Sequence, residues 1–133
     1  CADVVLYGPV EGIPEEILKR KYVSHNPIHT HVKASYEEMF GLGKFIAERL
    51  GRSKGYSTVM IPERGFSQLN IAGGPIYEPD SDRGFRDGLE EGFRLSPSEK
   101  ATIQSLDLHI NDPLFAEAAV KELHTLIEKG RHD

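Results

Sequence analysis

Arg64, flanked by Glu63 and Gly65 inside the stretch IPERGFSQLN (residues 61–70), has the side chain best suited to hold an anion. A planar guanidinium fork can clamp a carboxylate or phosphate through two parallel hydrogen bonds. The competing reading of Glu63 and Arg64 is a plain surface ion pair. Three other apolar runs end in polar groups in the same way: Val4-Val5-Leu6 in Tyr7-Gly8-Pro9, Tyr22-Val23 in Ser24-His25-Asn26-Pro27, and residues 106–110 in Asn111-Asp112-Pro113. If these runs are parallel strands, their four ends share one rim. Tyr7, His25, Asn26, Glu63, Arg64, His109, Asn111 and Asp112 would then meet where open parallel sheets bind ligands, beside helix amino termini whose free amides attract anions. The amides opening the helices after Ser35 and Asp112 would assist Arg64.

Other chemistries can be drawn from the same residues. His25, His29 and His31 with His109, joined by Glu63 or Asp112, have the donor types of a zinc site. Loop histidines are more often solvated or bonded to backbone, so no metal is assigned. Ser67, with His25 or His109 as general base and Asp112 as orienter, would make a hydrolase, but no Gly-x-Ser-x-Gly elbow is present. Neither a Gly-x-Gly-x-x-Gly turn nor a P-loop occurs, so a self-contained nucleotide cradle is not supported. Asp112 before Pro113 also has the simpler reading of a helix cap followed by proline at the first helical position.

The elements that must position these residues follow from local pattern. Residues 2–7 form a short continuous apolar run, the signature of a strand buried on both faces. Pro14-Glu15-Glu16 opens one or two helical turns through Leu18, residues 22–24 read as a second strand, and residues 25–34 as a loop carrying three histidines. Ser35 and Glu38 have capping-box spacing and start the clearest helix, with Met39, Leu42, Ile46 and Leu50 as its apolar stripe and Gly51 as its stop. Residues 58–61 form the third strand. Residues 65–79 are the longest aperiodic segment, a length more often functional than idle. Asp80 or Asp82 caps a helix to about Leu95, residues 102–110 form the fourth strand, and the last helix buries Leu114, Ala118, Leu123, Leu126 and Ile127 until Gly130. Strand and helix alternate four times, which predicts right-handed crossovers and a three-layer α/β domain with a mostly parallel sheet of four or five strands.

At 133 residues the chain has the size of one domain. A net charge of −5 with no basic stripe argues against a nucleic-acid surface. No apolar run is long enough to span a bilayer, and the lone Cys1 cannot pair within the chain, which fits a cytoplasmic setting. The chain starts almost inside a strand, as expected of a piece of something larger.

Five motifs in register, Asp3-Val4-Val5-Leu6-Tyr7-Gly8-Pro9, Ser24-His25-Asn26-Pro27, residues 43–50 (GKFIAERL), residues 61–67 (IPERGFS) and His109-Ile110-Asn111-Asp112-Pro113 with Phe115-Ala116, give the chain a resemblance. It is similar to the C-terminal half of the tomato mosaic virus resistance protein-like family, ATP-binding, two-domain, Rossmann-like proteins. The resemblance implies a flavodoxin-like fold and a C-terminal half whose own N-terminal domain carries most of any site for ATP or another nucleotide. It implies His25, Asn26, Arg64, Gly65, Ser67, His109, Asn111 and Asp112 as ligand-binding candidates. His29 and His31 depart from the family pattern, which weakens the metal reading further. The leading expectation is a ligand-binding or regulatory half that closes with its N-terminal domain over a small anion. A hydrolase and a protein-interaction domain that dimerises through a sheet edge or helix face are the alternatives.

Overall fold

The computed structural model describes residues 2–132. Its elements are β1 (Val4–Tyr7), a single 3-10 turn (Val10–Gly12), α1 (Glu15–Leu18), β2 (Tyr22–Asn26), β3 (His29–Lys33), α2 (Tyr36–Leu50), β4 (Ser57–Pro62), α3 (Pro79–Leu95), β5 (Ala101–Leu106) and α4 (Pro113–His132).

The expected single parallel sheet is divided in two. β4 and β5 pair in parallel, from Ser57 opposite Ala101 to Pro62 opposite Leu106. β1, β3 and β2 form a separate antiparallel sheet in that order. The difference comes from residues 25–34, which are a hairpin rather than a loop. Asn26 Oδ1 accepts the Ile28 N–H (3.0 Å) and closes a tight turn. His29-Thr30-His31-Val32-Lys33 then returns as a strand with Thr30 and Val32 fully buried. Once β3 lies between β1 and β2, their carboxyl ends, Tyr7 and Asn26, sit beside Thr30 and His29 at the start of β3. Asp3 and Lys33 mark the other end of that sheet. The shared rim of four strand ends therefore reduces to the two ends of β4 and β5.

The helical predictions fare better because their signals are local. Ser35 Oγ accepts the Glu38 N–H (3.2 Å) while Glu38 Oε2 accepts the Ser35 N–H (2.8 Å), the capping box read from sequence. Met39 on α2 is fully buried, with Leu42 and Ile46 packed against the same core as Ala34, Ala47, Ile61, Phe85 and Leu89. Neither Asp80 nor Asp82 caps α3; Glu78 occupies that position, without a side-chain bond.

Close approach of α2 and α3 is built on glycine. A Cβ at Gly84, Gly88 or Gly92, one helical turn apart, would lie 2.4 Å from the Tyr36 carbonyl oxygen, 2.0 Å from that of Phe40 and 2.6 Å from the Ala47 Cβ. Gly43 faces back at 2.1 Å from the Phe85 carbonyl oxygen. The glycines that weaken α3 as an isolated helix are the residues that let it dock.

Candidate functional site

Beyond Pro62 and Leu106 the two segments remain hydrogen-bonded to each other as far as Ile110, though no longer as regular strands. Glu63 N–H donates to the Leu106 carbonyl (2.9 Å), Arg64 N–H to that of Leu108 (3.1 Å), and Ile110 N–H to that of Gly65 (3.1 Å). This irregular extension is why residues 106–110 read as strand. It sets Arg64 beside Asp107, and Gly65 beside His109.

Arg64 Nε and one terminal nitrogen donate to the two Asp107 oxygens at 2.8 Å each. Hydrogen bonding from Arg64 holds the Asp107 carboxyl below the ordinary aspartate range, and the same bonds push the guanidinium further up. Both side chains are mostly exposed, 63% and 73%, so water screens the pair and it adds little to stability. Asp107 can be exchanged for another anion at little cost. Arg64, His109 and Asp112 with Ile71, Ala72 and Tyr77 line an open cleft of about 480 Å³, within the range of small-molecule sites.

His109 is a brace in this cleft. Its Nε2–H donates to the Ser67 carbonyl (2.9 Å), and its Nδ1 accepts the Asn111 N–H (3.2 Å). Both ring nitrogens are engaged in these hydrogen bonds, which fix the ring in place. Asp112 caps α4, its Oδ1 accepting the Leu114 N–H (2.9 Å). Ser35 likewise occupies an amide at the start of α2. The helix amides expected to assist Arg64 are thus partly taken by capping side chains.

His25 and Asn26 are not brought to this cleft. His25 stacks on His31 with ring centroids 5.3 Å apart, and Asn26 Nδ2 donates to His29 Nδ1 (3.3 Å). The imagined histidine set is not assembled, and among the described residues no group of three or more His, Cys, Asp or Glu side chains is placed to hold a metal. Ser67 is buried and turned the other way, its Oγ donating to Asp3 Oδ2 (2.8 Å).

That bond leads to a polar cluster under the 63–78 loop that sequence reasoning missed. Asn70 Nδ2 donates to Asp3 Oδ2 (2.9 Å) and Asp82 Oδ2 (2.8 Å), and Lys33 Nζ donates to Asp82 Oδ1. Asp3, Lys33 and Asn70 are fully buried. Lys33 pairs with the Asp82 carboxylate, and the Asn70 amide bridges Asp82 to Asp3. The cluster ties β1, β3, the loop and the first turn of α3 together, so it fixes the loop that walls the cleft.

These features coincide with a known family. The model of the uncharacterised protein family UPF0261, C-terminal domain, matches residues 1–127. The chain belongs to the UPF0261 C-terminal domain family. It is 38% identical over 118 residues to a UPF0261 protein of Rhizobium meliloti (strain 1021), covering 89% of this chain and 29% of that protein. It is 34% identical over 127 residues to one of Clostridium tetani (strain Massachusetts / E88), covering 96% and 31%. Similarity extends to the ToMV resistance protein Tm-1(GCR237) of Solanum lycopersicum, 32% identical over 130 residues, covering 98% of this chain and 17% of that protein. The chain thus spans about three-tenths of the length of the bacterial relatives. No helix among the described residues is long and apolar enough to cross a membrane.

Of the eight candidates, this UPF0261 domain gathers Arg64, His109 and Asp112 around the cleft, with Gly65 and Asn111 as support. It assigns Ser67 to the buried cluster and His25 and Asn26 to the hairpin. No local sequence signal marked the missed cluster: Lys33 enters it only because β3 is buried between β1 and β2.

Proposed function

We propose that this domain is the ligand-binding C-terminal half of a two-domain protein and that it takes a small anion at the β4–β5 rim. Arg64 is the anchor. The observation that carries the reading is its position: a guanidinium fork on the wall of a 480 Å³ cleft, paired with an exposed carboxylate. The ligand's carboxylate or phosphate replaces Asp107 on the fork, and its apolar or aromatic body lies against Ile71, Ala72 and Tyr77. The protein's own N-terminal domain closes the open side and supplies the rest of the contacts, which is the arrangement expected of Rossmann-like halves facing each other. A nucleotide such as ATP combines a phosphate with an aromatic body and is the first probe.

Isothermal titration of the full-length protein with ATP, GTP and inorganic phosphate tests this. Nucleotide binding that weakens at least ~10-fold in Arg64→Ala, as expected for a lost charge-assisted pair, supports the assignment. Nucleotide affinity unchanged by Arg64→Ala would remove Arg64 from any nucleotide site.

A further inference from the structure

α4 packs on its own domain with one face and leaves another uncovered. Phe115 is buried, Ala118, Ala119 and Leu126 are half-buried, and Glu122 Oε1 accepts the Thr58 hydroxyl at 2.6 Å. On the exposed side Ala116, Val120, Leu123, Ile127 and Gly130 recur at spacings of four, three, four and three. Val120, Leu123 and Ile127 are 61%, 57% and 45% exposed. That alternation has the spacing of a two-helix coiled-coil seam rather than the broader stripe of a helix buried in a globular core. Leu114, Leu123 and Ile127, expected from the sequence in the buried face of this helix, are all exposed, because only the side carrying Phe115, Ala118, Glu122 and Leu126 meets the domain.

The charges beside the seam select the occupant. Glu117, His124 and Arg131 lie on one flank, each one residue beyond a seam position, and all three are exposed. Among the described residues none of the three has an ion-pair partner within the chain. In an antiparallel pair that sets Val120 opposite Leu123 of a second copy, Ala116 falls opposite Ile127. The same register brings Glu117 beside His124 and Arg131 of the other helix, and the reverse contact follows by symmetry. A parallel pair would set this flank against the opposite one, which carries Ala119 and Leu126 and offers no counter-charge.

We infer that α4 is a self-association helix through which two copies of this protein join as an antiparallel two-fold pair. The inference is independent of the rim ligand.

The test is sedimentation equilibrium on the full-length protein across a concentration series, with hydrogen exchange of residues 116–130 alongside. The wild type is expected to approach twice its monomer mass, with α4 protected only in the dimer. Leu123→Glu, which would bury two carboxylates in the seam, is expected to weaken the dimer ~100-fold or more while leaving thermal unfolding of the monomer unchanged. Glu117→Arg is expected to weaken it, and Glu117→Arg combined with Arg131→Glu to restore it. A monomer at every concentration, or a dimer indifferent to Leu123→Glu, overturns the proposal. So does protection of α4 in a monomer, which would mean that the same polypeptide covers it. Failure of the charge swap to rescue overturns the antiparallel register.

Discussion

Replacing Gly65 with alanine tests how the loop, the buried cluster and the cleft are joined. Gly65 has φ +130°, a conformation that side chains rarely adopt, and a Cβ there would lie 1.8 Å from the Asn70 carbonyl oxygen and 3.0 Å from His109 Cδ2. The backbone strain alone costs about 1–3 kcal/mol. Restoring ordinary contact requires Asn70 to retreat, yet its amide is pinned between Asp3 and Asp82 at 2.9 and 2.8 Å. Losing one hydrogen bond to a charged group costs a further ~1.5–3 kcal/mol, so the expected destabilisation of Gly65→Ala is about 4 kcal/mol. Gly73→Ala is the control. Gly73 also has positive φ (+81°) but open space where its Cβ would go, and its substitution should cost only the conformational term, about 1–2 kcal/mol. Urea unfolding of both variants reads the difference, with unchanged slopes confirming that the unfolded states are comparable. Equal destabilisation by the two substitutions would refute the claim that the loop is fixed by its close approach to Asn70.

Other consequences are open to the same kind of measurement. Gly88→Ala, whose Cβ meets the Phe40 carbonyl oxygen at 2.0 Å, should destabilise by about 2 kcal/mol or more. Gly41→Ala on the open side of α2 should stabilise by about 0.5–1 kcal/mol in the same thermal or urea assay. Lys33→Met strands the Asp82 carboxylate and should cost ~3–5 kcal/mol, most of it recovered when Asp82→Leu is added; a double variant as unstable as the single would argue against the pairing. Carbon-detected NMR titration of Asp107 should show its carboxyl rising toward the ordinary range in Arg64→Ala. Because its folded-state value is depressed, whatever stability the pair contributes is present above the ordinary aspartate range and disappears as pH falls through the depressed value. The stability gap between wild type and Arg64→Ala should close with acidification, and a gap that widens would contradict the sign.

The charged cleft and the buried cluster also explain each other. Arg64 is free to exchange partners because it stands at the exposed end of a ladder that Gly65, His109 and the 63–78 loop hold in place. The loop can be both long and ordered because Asn70 and Ile76 are fully buried beneath it. If the proposed anion binds at this rim, it would do so without first ordering the loop, which would spare that entropic cost.

What the sequence determined by itself was everything decided within a turn or two of chain. The Ser35–Glu38 box, the Asp112 cap, the end of α3 at Leu95 and the β4 strand are set by contacts two to four residues apart or by a run rich in β-branched residues. The convergence of Arg64, His109 and Asp112 was legible because all three lie at or just beyond the ends of paired parallel strands. Tertiary structure alone decided which strands pair. Residues 29–33 carry an alternating pattern that matters only once β1 and β2 are present on either side, and that placement moved His25 and Asn26 away from the rim. It also decided that Asp3 meets Ser67 and Asn70, 64 and 67 residues along the chain, and that three glycines in α3 receive another helix. Those contacts exist only after distant segments are brought together, and the energy that selects them, burial of paired charge and close backbone packing, has no counterpart in any local window of residues.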